Sequence, residues 1–168
     1  LVQATAPARL GTTAWPTAEG PMVLGGPEDT WRGSLTAAEL SGMGFRVRLT
    51  ALPVVSVPAR RTASVDAISL EIHHVAGQAR TAQGLAAAST PAGDRAWTSP
   101  EAAVGRDGVS AAVTVPRNLV SDALVVSVPT WNLDPERPVR GAQVVVHGSL
   151  NNGCNNDDVQ VSIRAVGV

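Results

Sequence analysis

The sequence predicts an all-β domain, with a β-sandwich, a jelly roll or a barrel as its architecture. Apolar and polar side chains alternate in seven to nine short segments, as in strands with one buried face. Twelve prolines and sixteen glycines, spread along the chain, argue against long helices. Segments 76–80, 92–97 and 132–140 are too long for tight hairpin turns, which favours a jelly roll or Greek key over an up-and-down barrel.

The first third of the chain predicts one clear strand. Residues 1–30 are rich in Ala, Thr, Pro and Gly and predict an extended N-terminal arm, with a short strand at Met22–Leu24. Trp31–Thr36 is a weak strand candidate at the start of a single domain, 31–168. The segment GFRVRLTALP is the clearest strand, because apolar Phe45, Val47, Leu49 and Ala51 alternate with polar Arg46, Arg48 and Thr50.

The middle of the chain repeats this pattern in SVDAISLEIHH. Thr81–Ser89 is rich in small residues and is compatible with a strand or a helix, and Ser110–Val115 predicts a short strand. In SVDAISLEIHH one face holds Ile68, Leu70 and Ile72, and the other holds Ser69, Glu71 and His73.

Three strands are predicted near the end of the chain, at Ala123–Val128, Gln143–Leu150 and Asp158–Val166. Their apolar faces consist of Leu124, Val126 and Val128, then Val144, Val146 and Leu150, then Val159, Val161 and Ile163.

Two short helices are predicted in loops. Ser99–Gly105 begins with a Ser cap, a Pro at the first helical position and a Glu in the first turn, and it ends in Gly. A second turn is predicted at Thr36–Leu40.

Composition excludes several classes of protein. The net charge of −1 gives no global field that attracts nucleic acid or an anionic membrane. Cys154 is the single cysteine, so an intrachain disulfide is impossible. No apolar run is long enough to span a membrane, and no membrane partner is expected.

The sequence also lacks the motifs of common enzymes. It contains no GxSxG, no phosphate-binding loop, no GxGxxG, no HExxH and no CxxC. We therefore expect no enzymatic activity and no cofactor.

Arginines form the main candidate for a binding surface. Arg60 and Arg61 are adjacent, and Arg46 and Arg48 share one face of a strand. Together they predict either a patch that binds RNA phosphates or a set of cations paired with carboxylates at a subunit contact.

Histidines and a polar segment are weaker candidates. Adjacent strand residues point to opposite faces, so His73 and His74 cannot both reach one metal, and either is a candidate for a single pH-sensitive or phosphate contact. The segment NNGCNNDD predicts a plain turn, with Asp157 and Asp158 as a weak candidate for Ca²⁺ binding.

Two segments resemble the coat proteins of tymoviruses and of the related marafiviruses and maculaviruses. The first is RRTASVDAISLEIHHVAGQARTAQGLAAASTPAGDRAWTSPEAAVG, in which a basic turn leads into a strand that ends in I-H, and a Ser-Pro-Glu helix follows later. The second is ALVVSVPTWNLDPERPVRGAQVVVHGSL, which has two strands around a Pro-rich loop. The resemblance covers roughly Arg60 to Leu150, and it lies in the order and spacing of the elements.

This resemblance implies an eight-stranded antiparallel jelly roll and no enzymatic activity. It implies self-assembly into a large icosahedral shell, T=3-like in geometry, around positive-strand genomic RNA. The protein would occur in the virion, and in the host cytoplasm during assembly. The Pro-rich loop would then hold subunit contacts, with Trp131, Asp134, Glu136, Arg137 and Arg140 as candidates.

Other interpretations of the sequence remain open. The residues after Leu150 add a strand beyond the usual end of the family, and a sobemovirus-like shell domain is a close rival. A phage head-decoration or tail protein fits the same composition. A carbohydrate-binding module would use the four tryptophans as stacking platforms.

Overall fold

The structure, a computed structural model, is an antiparallel β-sandwich with almost no helix, which confirms the predicted all-β class. It describes residues 9–10, 15–31, 36–37, 40, 44–51, 61–74, 79–116, 119–134, 136, 138–151 and 159–166.

Ten strands lie in this part of the chain, where eight were predicted. They are β1 (Arg9–Leu10), β2 (Gly20–Gly25), β3 (Gly44–Ala51), β4 (Arg61–His74), β5 (Ala79–Gln83), β6 (Ala86–Thr90), β7 (Ala111–Val115), β8 (Ala123–Val128), β9 (Val139–Asn151) and β10 (Val159–Val166), with one 3₁₀ turn at Pro100–Ala103.

The strands form two sheets. The first sheet has the order β1-β10-β3-β8-β6. The second has the order β2-β9-β4-β5, and β7 pairs with the part of β4 that β5 leaves free. All of these pairs are antiparallel.

Strand pairing is nested along the chain. The pairs are β1 with β10, β2 with β9, β3 with β8 and β4 with β7. Each of the first four strands thus pairs with the strand that is equally far from the other end of the series. The two central strands, β5 and β6, are joined by two residues but enter different sheets.

The core lies between the sheets and consists mainly of aliphatic side chains. Over residues 46–51 of β3, 124–128 of β8 and 142–150 of β9, alternation turns every second side chain inward, as the sequence pattern predicts. The predicted inward faces that are confirmed consist of Val47, Leu49, Ala51, Ile68, Leu70, Ile72, Leu124, Val126, Val128, Val144, Val146 and Leu150.

A β-bulge interrupts the pairing of β4 with β9. Val65 is opposite Gly148 and Ala67 is opposite His147, so Asp66 is an extra residue in β4. At Gly148 a Cβ atom would lie 2.2 Å from the Ser64 carbonyl oxygen, so glycine permits this close approach of the two backbones.

All four tryptophans are buried, at most 7% exposed. Trp31 donates its indole N–H to the Ala142 carbonyl at 2.8 Å, and Trp97 donates to the Asp122 carbonyl at 2.9 Å. These side chains therefore attach loops to the ends of the sandwich, and Trp131 is part of the core rather than a free contact residue.

Thr81–Ser89, which was compatible with a strand or a helix, is divided between the strands β5 and β6. Two other predictions on local structure are wrong at least in part. Trp31 lies in a turn with a φ of 54°, so it does not begin a strand. Ser99–Gly105 contains only the 3₁₀ turn, and Ser99, with a φ of 47°, makes no side-chain cap. A helical turn near Thr36 is confirmed by the hydrogen bond from the Leu40 amide to the Thr36 carbonyl.

Residues 20–25, which were predicted as part of an extended N-terminal arm, form a strand of the second sheet. Gly20–Gly25 pairs with β9 along its full length, and its Met22 and Leu24 side chains enter the core. Before it, Pro16 accepts a hydrogen bond from the Leu150 amide. This segment is therefore part of the sandwich.

Candidate functional site

Two arginines lie on the outer face of the first sheet. Arg46 and Arg48 alternate with Val47 and Leu49 on β3, and since the valine and leucine face the core, the arginines face away from it. Arg46 is exposed and Arg48 is half-buried. Because β3 is the central strand of five, both stand in the middle of the sheet.

A third arginine, Arg164, is next to them in register. Arg46 is opposite Arg164 on β10 and opposite Ser127 on β8. The next outer row places Arg48 between Ser162 and Val125. On β6, alanines continue both rows.

Charge on this face is of one sign. The outer-facing residues of β3, β8 and β6 include no aspartate or glutamate, and neither do the residues of β10 in the same rows. These positions hold arginine, serine, threonine, alanine and valine among others. Within the described part of the chain, neither Arg46 nor Arg48 forms an ion pair. Like charges directly opposite each other on a sheet are destabilising, so this arrangement has an electrostatic cost.

The predicted patch of four arginines is not a single surface. Arg61 begins β4 in the second sheet, whereas Arg46 and Arg48 belong to the first. Arg60 lies outside the described residues. The sequence pattern did not indicate that Arg61 belongs to a different sheet from Arg46 and Arg48.

The adjacent histidines point to opposite sides of β4, as predicted. His74 is 7% exposed, whereas His73 is half-buried on the other face. His73 Nε2 lies 3.9 Å from Glu71 Oε1, and Glu71 accepts a hydrogen bond of 2.5 Å from Gln143 Nε2. Neither histidine joins the arginines, because both are in the second sheet.

A buried acid beside the third histidine was not predicted. Asp66, the bulge residue, is 1% exposed, and His147 is opposite Ala67 on the neighbouring strand. Asp66 Oδ1 and His147 Nδ1 have no hydrogen-bond partner among the described residues. The extra residue shifts the buried positions of β4 from odd numbers, at Ala63 and Val65, to even numbers from Ile68 onward. This change of phase is the sequence signal that could have indicated the bulge.

Burial lowers the pKa of His147 below 6.5, and the positive charge of Arg106 lowers it further. Glu19 and Asp66 act in the opposite direction, because a nearby negative charge favours the protonated imidazole. The neutral form of His147 is therefore favoured in the folded protein.

The Pro-rich loop between β8 and β9 is attached to the body by its apolar residues. Trp131 and Leu133 are buried, and Arg80 Nη1 donates to the Asn132 carbonyl at 2.9 Å. Asp134 accepts a hydrogen bond from the Glu136 amide. Three of the predicted contact residues, Asp134, Glu136 and Arg140, are exposed, and the fourth charged residue of this loop, Arg137, lies outside the described residues.

No group of three or more potential metal ligands occurs in the described part of the chain. Asp157 and Asp158, the weak Ca²⁺ candidates, lie outside it, so calcium binding there stays a prediction. Among the described residues no helix is long and apolar enough to cross a membrane.

Comparison with known proteins gives no match: no family model, curated protein or solved structure is similar to this chain.

Proposed function

We propose that this chain is the coat protein of an icosahedral virus, a jelly-roll subunit of which many copies enclose positive-strand RNA. The nested antiparallel pairs are the observation that supports it. A long two-stranded ribbon has this pairing, and rolling it up produces a jelly roll, the fold of many viral shell subunits.

Two of the remaining pairs, β3 with β10 and β4 with β9, are those that rolling creates. Strand β10 lies between β1 and β3, and β9 lies between β2 and β4. Each of these two returning strands is thus inserted between two strands of the outgoing half. In this proposal β1 and β10 extend the first sheet beyond the eight strands of the basic fold.

The segments that resemble tymovirus coat proteins agree with this arrangement. The strand that ends in I-H is β4, and the two strands around the Pro-rich loop are β8 and β9. All three are inner strands of their sheets. A net charge of −1 also lets many copies pack together without strong mutual repulsion.

The tryptophans argue against the carbohydrate-binding alternative. Sugar recognition by stacking needs an exposed aromatic face, but all four tryptophans are buried and the chain has no tyrosine. A phage head-decoration or tail protein would share the fold and differ in the absence of enclosed RNA.

Electron microscopy of the purified chain tests the proposal. We expect isometric particles whose absorbance at 260 nm resists added nuclease, because the shell protects its RNA. Empty assemblies on a larger particle would favour the phage alternative. A monodisperse species of 17.2 kDa that binds no RNA would contradict the proposal.

A further inference from the structure

We infer that the outer face of the first sheet is the inner, RNA-contacting surface of the shell, where Arg46 and Arg48 bind phosphates. This inference rests on the proposed function and adds which face of the subunit points inward. The occupant is single-stranded RNA, held through its backbone.

Unbalanced positive charge is the first argument. Arg46 and Arg164 are directly opposite on neighbouring strands, and Arg48 is two residues from Arg46 on the same face. Residues two apart in a strand are separated by about 6.6 Å, so the three positions form a compact triangle. With no carboxylate in the same rows, a bound phosphate would remove the repulsion between the arginines.

The surroundings of the arginines allow a polymer to approach closely. Ser127 follows Arg46 across the sheet, and Ala86 and Ala88 extend the two rows on β6. Both alanines are exposed. Because these side chains are small, they leave room for a polymer beside Arg46 on that side of the sheet.

Other exposed arginines lack this environment. Arg140 belongs to the second sheet, in β9, and Arg106 lies in a loop where its charge acts on His147 beside Asp66 and Glu19. The single-sign, central position on a sheet is therefore the feature that distinguishes Arg46 and Arg48. This position also favours RNA over an acidic segment of a neighbouring subunit, because the repeating phosphates of an RNA backbone can lie along a whole row of residues across the sheet.

Recognition on this face depends on phosphate rather than on bases. Stacking of bases requires exposed aromatic rings, and every tryptophan is buried. Binding should therefore be independent of sequence and strongly dependent on salt. For single strands the slope of log K against log salt is about −0.7 per phosphate contact, so the loss of two arginines should reduce the slope by about 1.4.

The experiment compares three double variants with the wild-type chain. Arg46→Gln/Arg48→Gln removes the charge, and Arg46→Lys/Arg48→Lys keeps it. The matched control, Arg95→Gln/Arg106→Gln, removes two exposed arginines from loops elsewhere. RNA per subunit in nuclease-treated particles is measured by absorbance, and binding of a labelled oligo(U) to the unassembled full chain is measured at several salt concentrations.

We expect RNA content and the salt slope to fall in the first variant only. Unchanged RNA content and slope in Arg46→Gln/Arg48→Gln would overturn the inference, and so would an equal fall in the control. Loss of particles with an unchanged slope would also overturn it, since the arginines would then contact a neighbouring subunit.

Failure of the proposed function gives a different result. If the wild-type chain forms no particles but Arg46 and Arg48 still determine the slope for oligo(U), the shell proposal falls and phosphate binding by this face stands. If the wild-type chain forms particles and the slope does not change in Arg46→Gln/Arg48→Gln, the shell proposal stands and phosphate binding by this face falls.

Discussion

Gly148 lies against the backbone of β4 beside the bulge at Asp66. An added methyl group would meet the Ser64 carbonyl oxygen at 2.2 Å, and both partners are backbone in paired strands, so neither can move aside at low cost. The bulge itself places a buried acid next to His147. Gly148 and Asp66 therefore account for the irregular pairing of β4 with β9, the two inner strands of the second sheet.

Gly148→Ala should therefore destabilise the fold by about 1 to 3 kcal/mol, the usual cost of overpacking. Urea unfolding of the full chain measures the difference. Gly105→Ala is the matched control, because a Cβ there meets no atom within 4 Å. Equal stability of the two variants would show that β4 and β9 separate more easily than this register implies.

His147 should make stability depend on pH. Its folded-state pKa is lowered, by burial first, so between that value and the unfolded value of 6.5 the unfolded chain binds more protons. The free energy of unfolding should then decrease as pH falls below 6.5. In His147→Gln this part of the decrease should disappear, whereas His73→Gln should retain it. A pH dependence unchanged in His147→Gln would contradict the assignment.

At the scale of elements, the sequence pattern predicts strands where the contrast between faces is strong. Alternating valine, leucine and isoleucine define β3, β4, β8 and β9, and their core faces are as predicted. The segment around β5 and β6 has no such contrast, because alanine, serine and threonine fit either face. The 3₁₀ turn is short because the chain re-enters pairing at Val104, which bridges to Ala67.

A buried leucine in the second sheet and an exposed leucine between β5 and β6 give a direct comparison. Leu70 is fully buried in β4, and Leu85 is 66% exposed before β6. We expect Leu70→Ala to cost about 2 to 5 kcal/mol, from lost burial and a cavity. Leu85→Ala should stay within about 0.5 kcal/mol of the wild type. Similar midpoints of urea unfolding for the two variants would contradict the assignment of the core.

For the whole molecule, the sandwich could be predicted because it follows from the alternation of apolar and polar residues. The arrangement of charged residues on its two sheets could not. Arg46 and Arg48 could be placed on one face from their spacing alone. Their separation from Arg61, and the position of Arg164 beside Arg46, depend on strand order and register. Both are long-range properties that arise from packing, and a single sequence carries little local signal for them.

The nested pairs and the arginine face suit a subunit that acts only in large numbers. One subunit offers two or three cations, too few for tight binding of RNA at physiological salt. Many copies that line one cavity would bind cooperatively along a single polymer. The near-zero net charge and the charged face are therefore compatible, because the charge is concentrated where the shell would meet RNA.

Sedimentation velocity with detection at 260 and 280 nm distinguishes a shell subunit from an isolated monomer. For the wild-type chain we expect one fast boundary in which protein and RNA sediment together. For Arg46→Gln/Arg48→Gln we expect a slower boundary of RNA-poor shells. A single slow boundary at the mass of one chain, 17.2 kDa, with no absorbance from RNA, would contradict the shell proposal.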